Sequence, residues 1–122
     1  MTKTSPRPVE ETVARLVGIL EAKGVKLFAV IDHSGEAAAA ALELCDTKVV
    51  IFGSPAAGTP VMQAAPLVAL DLPLKVLVWD DGGETKVTYA PPAELAARYG
   101  LDDALAGRLA AIDALTDAAV DQ

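Results

Sequence analysis

The sequence predicts a single α+β domain, and three observations predict it. Apolar, β-branched-rich runs of strand length recur along the chain, segments of helical periodicity lie between them, and a Gly-Gly pair joins two of the runs in the manner of a hairpin. At 122 residues the chain has the size of one domain, burying roughly two-thirds of its unfolded surface. Apolar residues make up 52% of it, enough for one aliphatic core and too many for disorder.

Met1 to Ser5 is expected to form a short edge strand. Val9, Val13, Leu16, Val17 and Leu20 then recur at helical spacing, with Pro8 suited to the first helical position, Glu10 and Glu11 in the first turn and Gly24 as the stop. Val25 to Ile31 reads as a buried strand ending at Asp32-His33, and Ala37 to Leu44 as a short alanine-rich helix. Thr47 to Phe52 is a second buried strand. The segment Gly53-Ser-Pro-Ala-Ala-Gly-Thr-Pro60 cannot extend it, because its prolines lack a donor, so Gly53 to Thr59 is expected to leave the sheet as a loop. Thr59 followed by Pro60 predicts a capped short helix over 61–65, with a further turn over 66–70. Leu74 to Trp79 and Lys86 to Tyr89 flank Asp80-Asp-Gly-Gly-Glu-Thr85 and predict an antiparallel pair. Pro91-Pro92 opens a helix ending at Tyr99-Gly100, and Asp102 or Asp103 caps a last helix carrying Leu105, Leu109, Ile112 and Leu115.

A net charge of −7 with scattered Lys and Arg argues against a nucleic-acid partner, since no cationic stripe is available to neutralise phosphates. The lone Cys45 forbids an intrachain disulfide and fits a reducing compartment, and no apolar stretch is long enough for a bilayer span. A cytoplasmic protein with no membrane partner, no cofactor and no metal site is the expectation. Cys45 itself reads as a small buried hydrophobe.

The most informative stretch is Ile51 to Met62. Gly53 and Gly58 let backbone approach a ligand closely, Ser54 and Thr59 supply hydroxyls, and a following helix offers free N–H groups to an anion. The spacing matches neither a Walker A loop nor GxGxxG. Asp32-His33, at a strand end, carries the only histidine, a group suited to proton transfer or metal binding near neutral pH. Lys75 is placed to neutralise a ligand carboxylate or to pair with Asp71. Met62 and Trp79 read as core side chains that could also wall an apolar pocket, and Arg98 as a helix-end cation meeting terminal carbonyls.

Taken together, Ile31-Asp-His33, Phe52-Gly-Ser-Pro-Ala-Ala-Gly-Thr-Pro-Val-Met62, Asp71-Leu-Pro-Leu-Lys75, Val78-Trp-Asp80 and Leu95-Ala-Ala-Arg98 resemble the domain-of-unknown-function 302 (DUF302) family over nearly the whole chain. The resemblance implies a curved, largely antiparallel sheet of about five strands with helices packed on one face, related to the TATA-binding-protein-like class. It also implies a small bacterial or archaeal protein that forms homodimers, with no settled activity. Ser54 departs from the Asn common in the family at that position.

The functional expectation is a homodimeric module that binds a small anionic or apolar molecule through Asp32, His33, Gly53, Ser54, Gly58, Thr59, Met62 and Lys75. Two alternatives stand beside it. One is an enzyme using His33 as acid/base with Asp32 or Asp80 in support, which lacks a visible nucleophile or metal cluster. The other is a structural domain whose motif loop forms a dimer interface.

Overall fold

The apolar runs form one five-stranded antiparallel sheet. A computed structural model describes residues Met1–Gln122. The strands β1 (Thr2–Ser5), β2 (Lys26–Asp32), β3 (Thr47–Gly53), β4 (Leu74–Asp81) and β5 (Glu84–Thr88) lie in the order β1-β5-β4-β3-β2. Six helices complete the α+β architecture: α1 (Val9–Ala22), α2 (His33–Ala39), α3 (Pro55–Ala64), α4 (Pro92–Tyr99), α5 (Asp103–Gly107) and α6 (Ala111–Val120), with a 3₁₀ turn over Pro66–Asp71.

Alternation along the strands sends Val50, Phe52, Val76, Val78, Val87 and Tyr89 to one face. There they meet Val9, Val13, Leu16 and Leu20 of α1 and Ile112, Leu115 and Ala119 of α6. A smaller cluster of Val61, Val68, Leu95 and Leu109 holds α3, the 3₁₀ turn, α4 and the α5–α6 junction together, and Leu74 packs against both clusters. Leu74 thus joins the helical lobe to the sheet. The β4–β5 connection turns at Gly82 and Gly83, both at positive φ, with the Asp80 carboxylate accepting from the Gly83 amide at 2.7 Å.

Five expectations are corrected. Val25 to Ile31 has the composition expected of a buried strand, yet β2 is a sheet edge, and Leu27, Phe28, Val30 and Ile31 are all exposed. The helix expected over 37–44 starts at His33, where Asp32 caps it by accepting from the Gly35 amide, and it ends at Ala39. Leu42 and Ala41 donate back to the Ala37 and Ala38 carbonyls, closing the helix with Ala41 at φ 59°. The Gly53 to Thr59 loop is mostly helix: Ser54, not Thr59, caps α3, and Gly58, Thr59 and Pro60 lie inside it. The last helix is broken into α5 and α6, with Asp102 capping the first. Cys45, expected to be buried, is exposed because the segment after α2 packs on no core.

Candidate functional site

Where β3 leaves the sheet, its last residue Gly53 is followed at once by α3, and the chain returns beneath that helix through the turn Leu72-Pro73-Leu74. Between these segments lies a cleft of about 210 Å³. Gly53, Ser54, Pro55, Ala57, Gly58, Thr59 and Met62 form one wall, Leu72, Pro73 and Leu74 the other, and Phe28 and Leu109 stand at its sides. Gly58 faces the opposite wall: a Cβ there would lie at ordinary contact distance, 3.8 Å from the Leu72 Cδ1 and 4.0 Å from the Met62 Cε. Apolar carbon dominates the walls, and the Ser54 and Thr59 hydroxyls are the side-chain polar groups.

The start of α3 explains why the cleft is poorly made for an anion. Pro55 has no N–H, and the Ala57 and Gly58 amides donate to the Ser54 carbonyl at 3.0 and 2.8 Å. The Ser54 hydroxyl also accepts from the Ala57 amide, at 3.4 Å. The donors that a ligand would have used are largely engaged by Ser54.

The opposite wall is fixed by a clamp. Asp71 accepts from Arg98 at 2.7 Å and from the Tyr99 hydroxyl, while Arg98 also reaches Glu94 at 3.2 Å. Asp71 therefore pairs with Arg98, and Arg98 serves this clamp rather than helix-end carbonyls. Hydrogen bonds from Tyr99 and Arg98 hold the Asp71 carboxyl below its ordinary value, and the same bond to Asp71 raises the Tyr99 hydroxyl. The depressed carboxyl makes its contribution to stability fully above the unfolded value near 3.8 and loses it as pH falls through the lower folded value. Asp71→Asn is accordingly expected to lower the urea midpoint at pH 7, with the gap to the parent closing as pH approaches 3. Equal midpoints at pH 7 would show that the clamp contributes nothing.

Of the candidate residues, the fold gathers Gly53, Ser54, Gly58, Thr59 and Met62 around the cleft and leaves Asp32, His33 and Lys75 outside it. Lys26 pairs with Gly53 and Asp32 with Lys48, so Asp32 and His33 stand six residues further along the sheet, roughly 20 Å from Gly53. His33 is exposed, and Asp32 is committed to the Ser34 hydroxyl and the Gly35 amide, which lower its pKa. Lys75 is exposed on β4 opposite Ile51. Trp79 donates to Thr88 at 3.0 Å and is not part of the cleft. Phe28, Leu72, Pro73 and Leu109 were missed. The Pro73 contribution had a signal in Leu72-Pro73, whereas Phe28 and Leu109 are brought in only by tertiary structure. No three His, Cys, Asp or Glu side chains converge to hold a metal.

Two wider grooves, of about 420 and 630 Å³, run beside Arg7, Asp46 and Glu84 and between α4, α5 and α6. The first has Val9 as its one hydrophobic residue, and the second sets its alanines beside Lys3, Asp103, Asp113 and Asp117, so both are more polar than the α3 cleft.

The profile of a protein family described as "Domain of unknown function DUF302" matches residues 1–119. Among solved structures, the chain is similar to an uncharacterized conserved protein DUF302 from Bacillus stearothermophilus, with a TM-score of 0.82 and 23% identity over 99% of this chain and 94% of that one. Among curated proteins, it is 38% identical over 102 residues to "Fluoride-specific ion channel FluC 1" of Brucella suis biovar 1, covering 83% of this chain and 40% of that protein. The protein of the same name in Brucella abortus biovar 1 is also 38% identical over 102 residues, with 38% of it covered. The matched stretch spans about two-fifths of the length of these curated relatives. No helix of the present chain is long and apolar enough to cross a membrane.

Proposed function

Since the chain belongs to the DUF302 family, whose fold carries no reaction with it, the functional reading has to come from the cleft, and we propose that this domain is a homodimeric binding module for a small, largely apolar molecule. The observation that supports the reading is the α3 cleft itself. Its volume of about 210 Å³ leaves room for a small amphiphile with a short carbon chain. Such a molecule would lay its carbon chain against Met62, Leu72 and Leu74 and turn its polar end toward Ser54 and Thr59.

Thermal-shift and titration measurements with hexanoate, 1-hexanol and indole test this. Binding of at least one probe, raising the melting temperature with concentration, is the expected result. No shift with any of the three, and none with longer homologues, would defeat the reading.

A second reading is supported by the curated relatives. There a stretch similar to this chain is covalently part of a protein named as a fluoride-specific ion channel. On this reading the domain is an accessory module whose cleft adjusts channel activity. Fluoride efflux from liposomes holding the Brucella suis relative, intact and with the matched stretch deleted, should differ. Identical efflux from the intact and the shortened relative would dismiss it.

A further inference from the structure

We propose that two copies of this chain pair through their β2 edges, and that the pairing brings the partner's Asp32 and His33 to the mouth of the α3 cleft. The significance of that mouth rests on the binding reading above, whereas the pairing stands on the sheet alone.

The two edges of the sheet are unlike. β1 has four residues, Thr-Lys-Thr-Ser, polar and short. β2 has seven, and it exposes Leu27 at 37%, Phe28 at 46%, Val30 at 41% and Ile31 at 38%. It contains no proline. An uncovered apolar edge of this length is a template for another strand. The edge is blunted by Lys26, by Asp32 and by the irregularity between Leu27 and Ala29, which adds local twist within the paired stretch, while Ala29 to Asp32 stay regularly paired with β3.

The strand's own charges favour a second copy as the occupant. β2 begins with Lys26 and ends with Asp32. A two-fold axis joins an edge to itself antiparallel, so the positive start of each strand meets the negative end of the other. Both ends of the interface are then complementary, which offsets the repulsion between two chains of net charge −7.

The same antiparallel arrangement answers a separation seen within one chain. Lys26 is the inner neighbour of Gly53, while Asp32 lies at the far end of the strand. Pairing about Ala29 and Val30 places the partner's Asp32 and His33 outside Lys26. That is two strand spacings, about 10 Å, from Gly53, and beside Phe28, which already lines the cleft. The cleft's polar rim is therefore completed from the second copy.

Light scattering of the full chain over a concentration series should give twice the 12.5 kDa chain mass. Val30→Lys sets two like charges at the centre of the interface and should weaken the dimer by roughly 100-fold with an unchanged circular dichroism spectrum. Leu67→Lys, at a position 79% exposed away from β2, should leave the dimer intact. For the juxtaposition, Lys26→Cys and His33→Cys chains, each carrying Cys45→Ala, are mixed and treated with a short bismaleimide. A cross-linked heterodimer is expected. A parent monomer up to hundreds of micromolar, a Val30→Lys chain as dimeric as Leu67→Lys, or an extended peptide co-purifying on β2 of a monomer would overturn the pairing. A dimer without the 26–33 cross-link would overturn the shared rim. None of these readouts uses a probe ligand, so failure of the cleft reading is distinguishable from failure of this one.

Discussion

Replacing Phe52 with Ala is expected to cost about 3–5 kcal/mol of folding stability, a large share of what a domain of this size possesses. Phe52 is 1% exposed and heads the chain's largest fully buried side chains. It occupies the last core-facing position of β3, one residue before the chain turns into α3, and pairs across the sheet with Leu27 and Leu74. Aromatics are few, and the surrounding valines and leucines are too short to collapse into the vacated space, so much of it persists as a cavity. The effect should reach the cleft, because Leu74 is both the strand partner of Phe52 and a wall of the site. Urea unfolding followed by circular dichroism measures it. A midpoint shift worth less than about 1.5 kcal/mol would place Phe52 among adaptable core positions.

The second large effect is a pair of opposed changes at one residue. Gly58 lies within α3 and its missing side chain faces Leu72 and Met62 at ordinary contact distance. Gly58→Ala is therefore expected to stabilise the protein by about 0.5–1 kcal/mol, since alanine loses less backbone freedom in a helix. Gly58→Leu sends its carbons into the cleft, keeping the fold while lowering affinity for a bound probe such as 1-hexanol by roughly 10- to 100-fold, the equivalent of about 1–3 kcal/mol of overpacking. Calorimetric titration beside thermal melts separates the two. Full probe affinity in a folded Gly58→Leu chain would mean the probe binds elsewhere.

Much of the fold was legible in local patterns. The Gly82-Gly83 hairpin, the α1 stripe and the Pro92 to Gly100 helix follow from turn chemistry and periodicity, which act over a few residues. The α3 boundary was misread because two proline-led capping signatures, Ser54-Pro55 and Thr59-Pro60, lie five residues apart, and Gly58 argued against helix between them. Packing of Val61 into the α4 and 3₁₀-turn cluster favours the longer helix, even though Pro60 leaves the Ala56 carbonyl without its helical partner.

The exposure of β2 was not legible for a different reason. Leu-Phe-Ala-Val-Ile has the composition of a central strand, and the order β1-β5-β4-β3-β2 is set by pairings between distant segments. The site divides along the same line. Gly53 to Met62 is contiguous and was found as a unit, whereas Phe28 and Leu109 enter through tertiary contacts. His33 is separated from the loop by the length of a strand, which spacing along the chain does not reveal.

The stitching of β1 to α6 has an architectural consequence. Lys3 bridges to Asp117 at 2.7 Å, the Arg7 guanidinium donates to the Asp121 carbonyl at 2.7 Å, and the Met1 amino group donates to the Tyr89 carbonyl. Residues near both ends of the chain are thereby gathered at the β1 margin, four strands and roughly 19 Å across the sheet from β2. A polypeptide spliced to either end would emerge at that margin. It would leave β2 and the α3 cleft unobstructed.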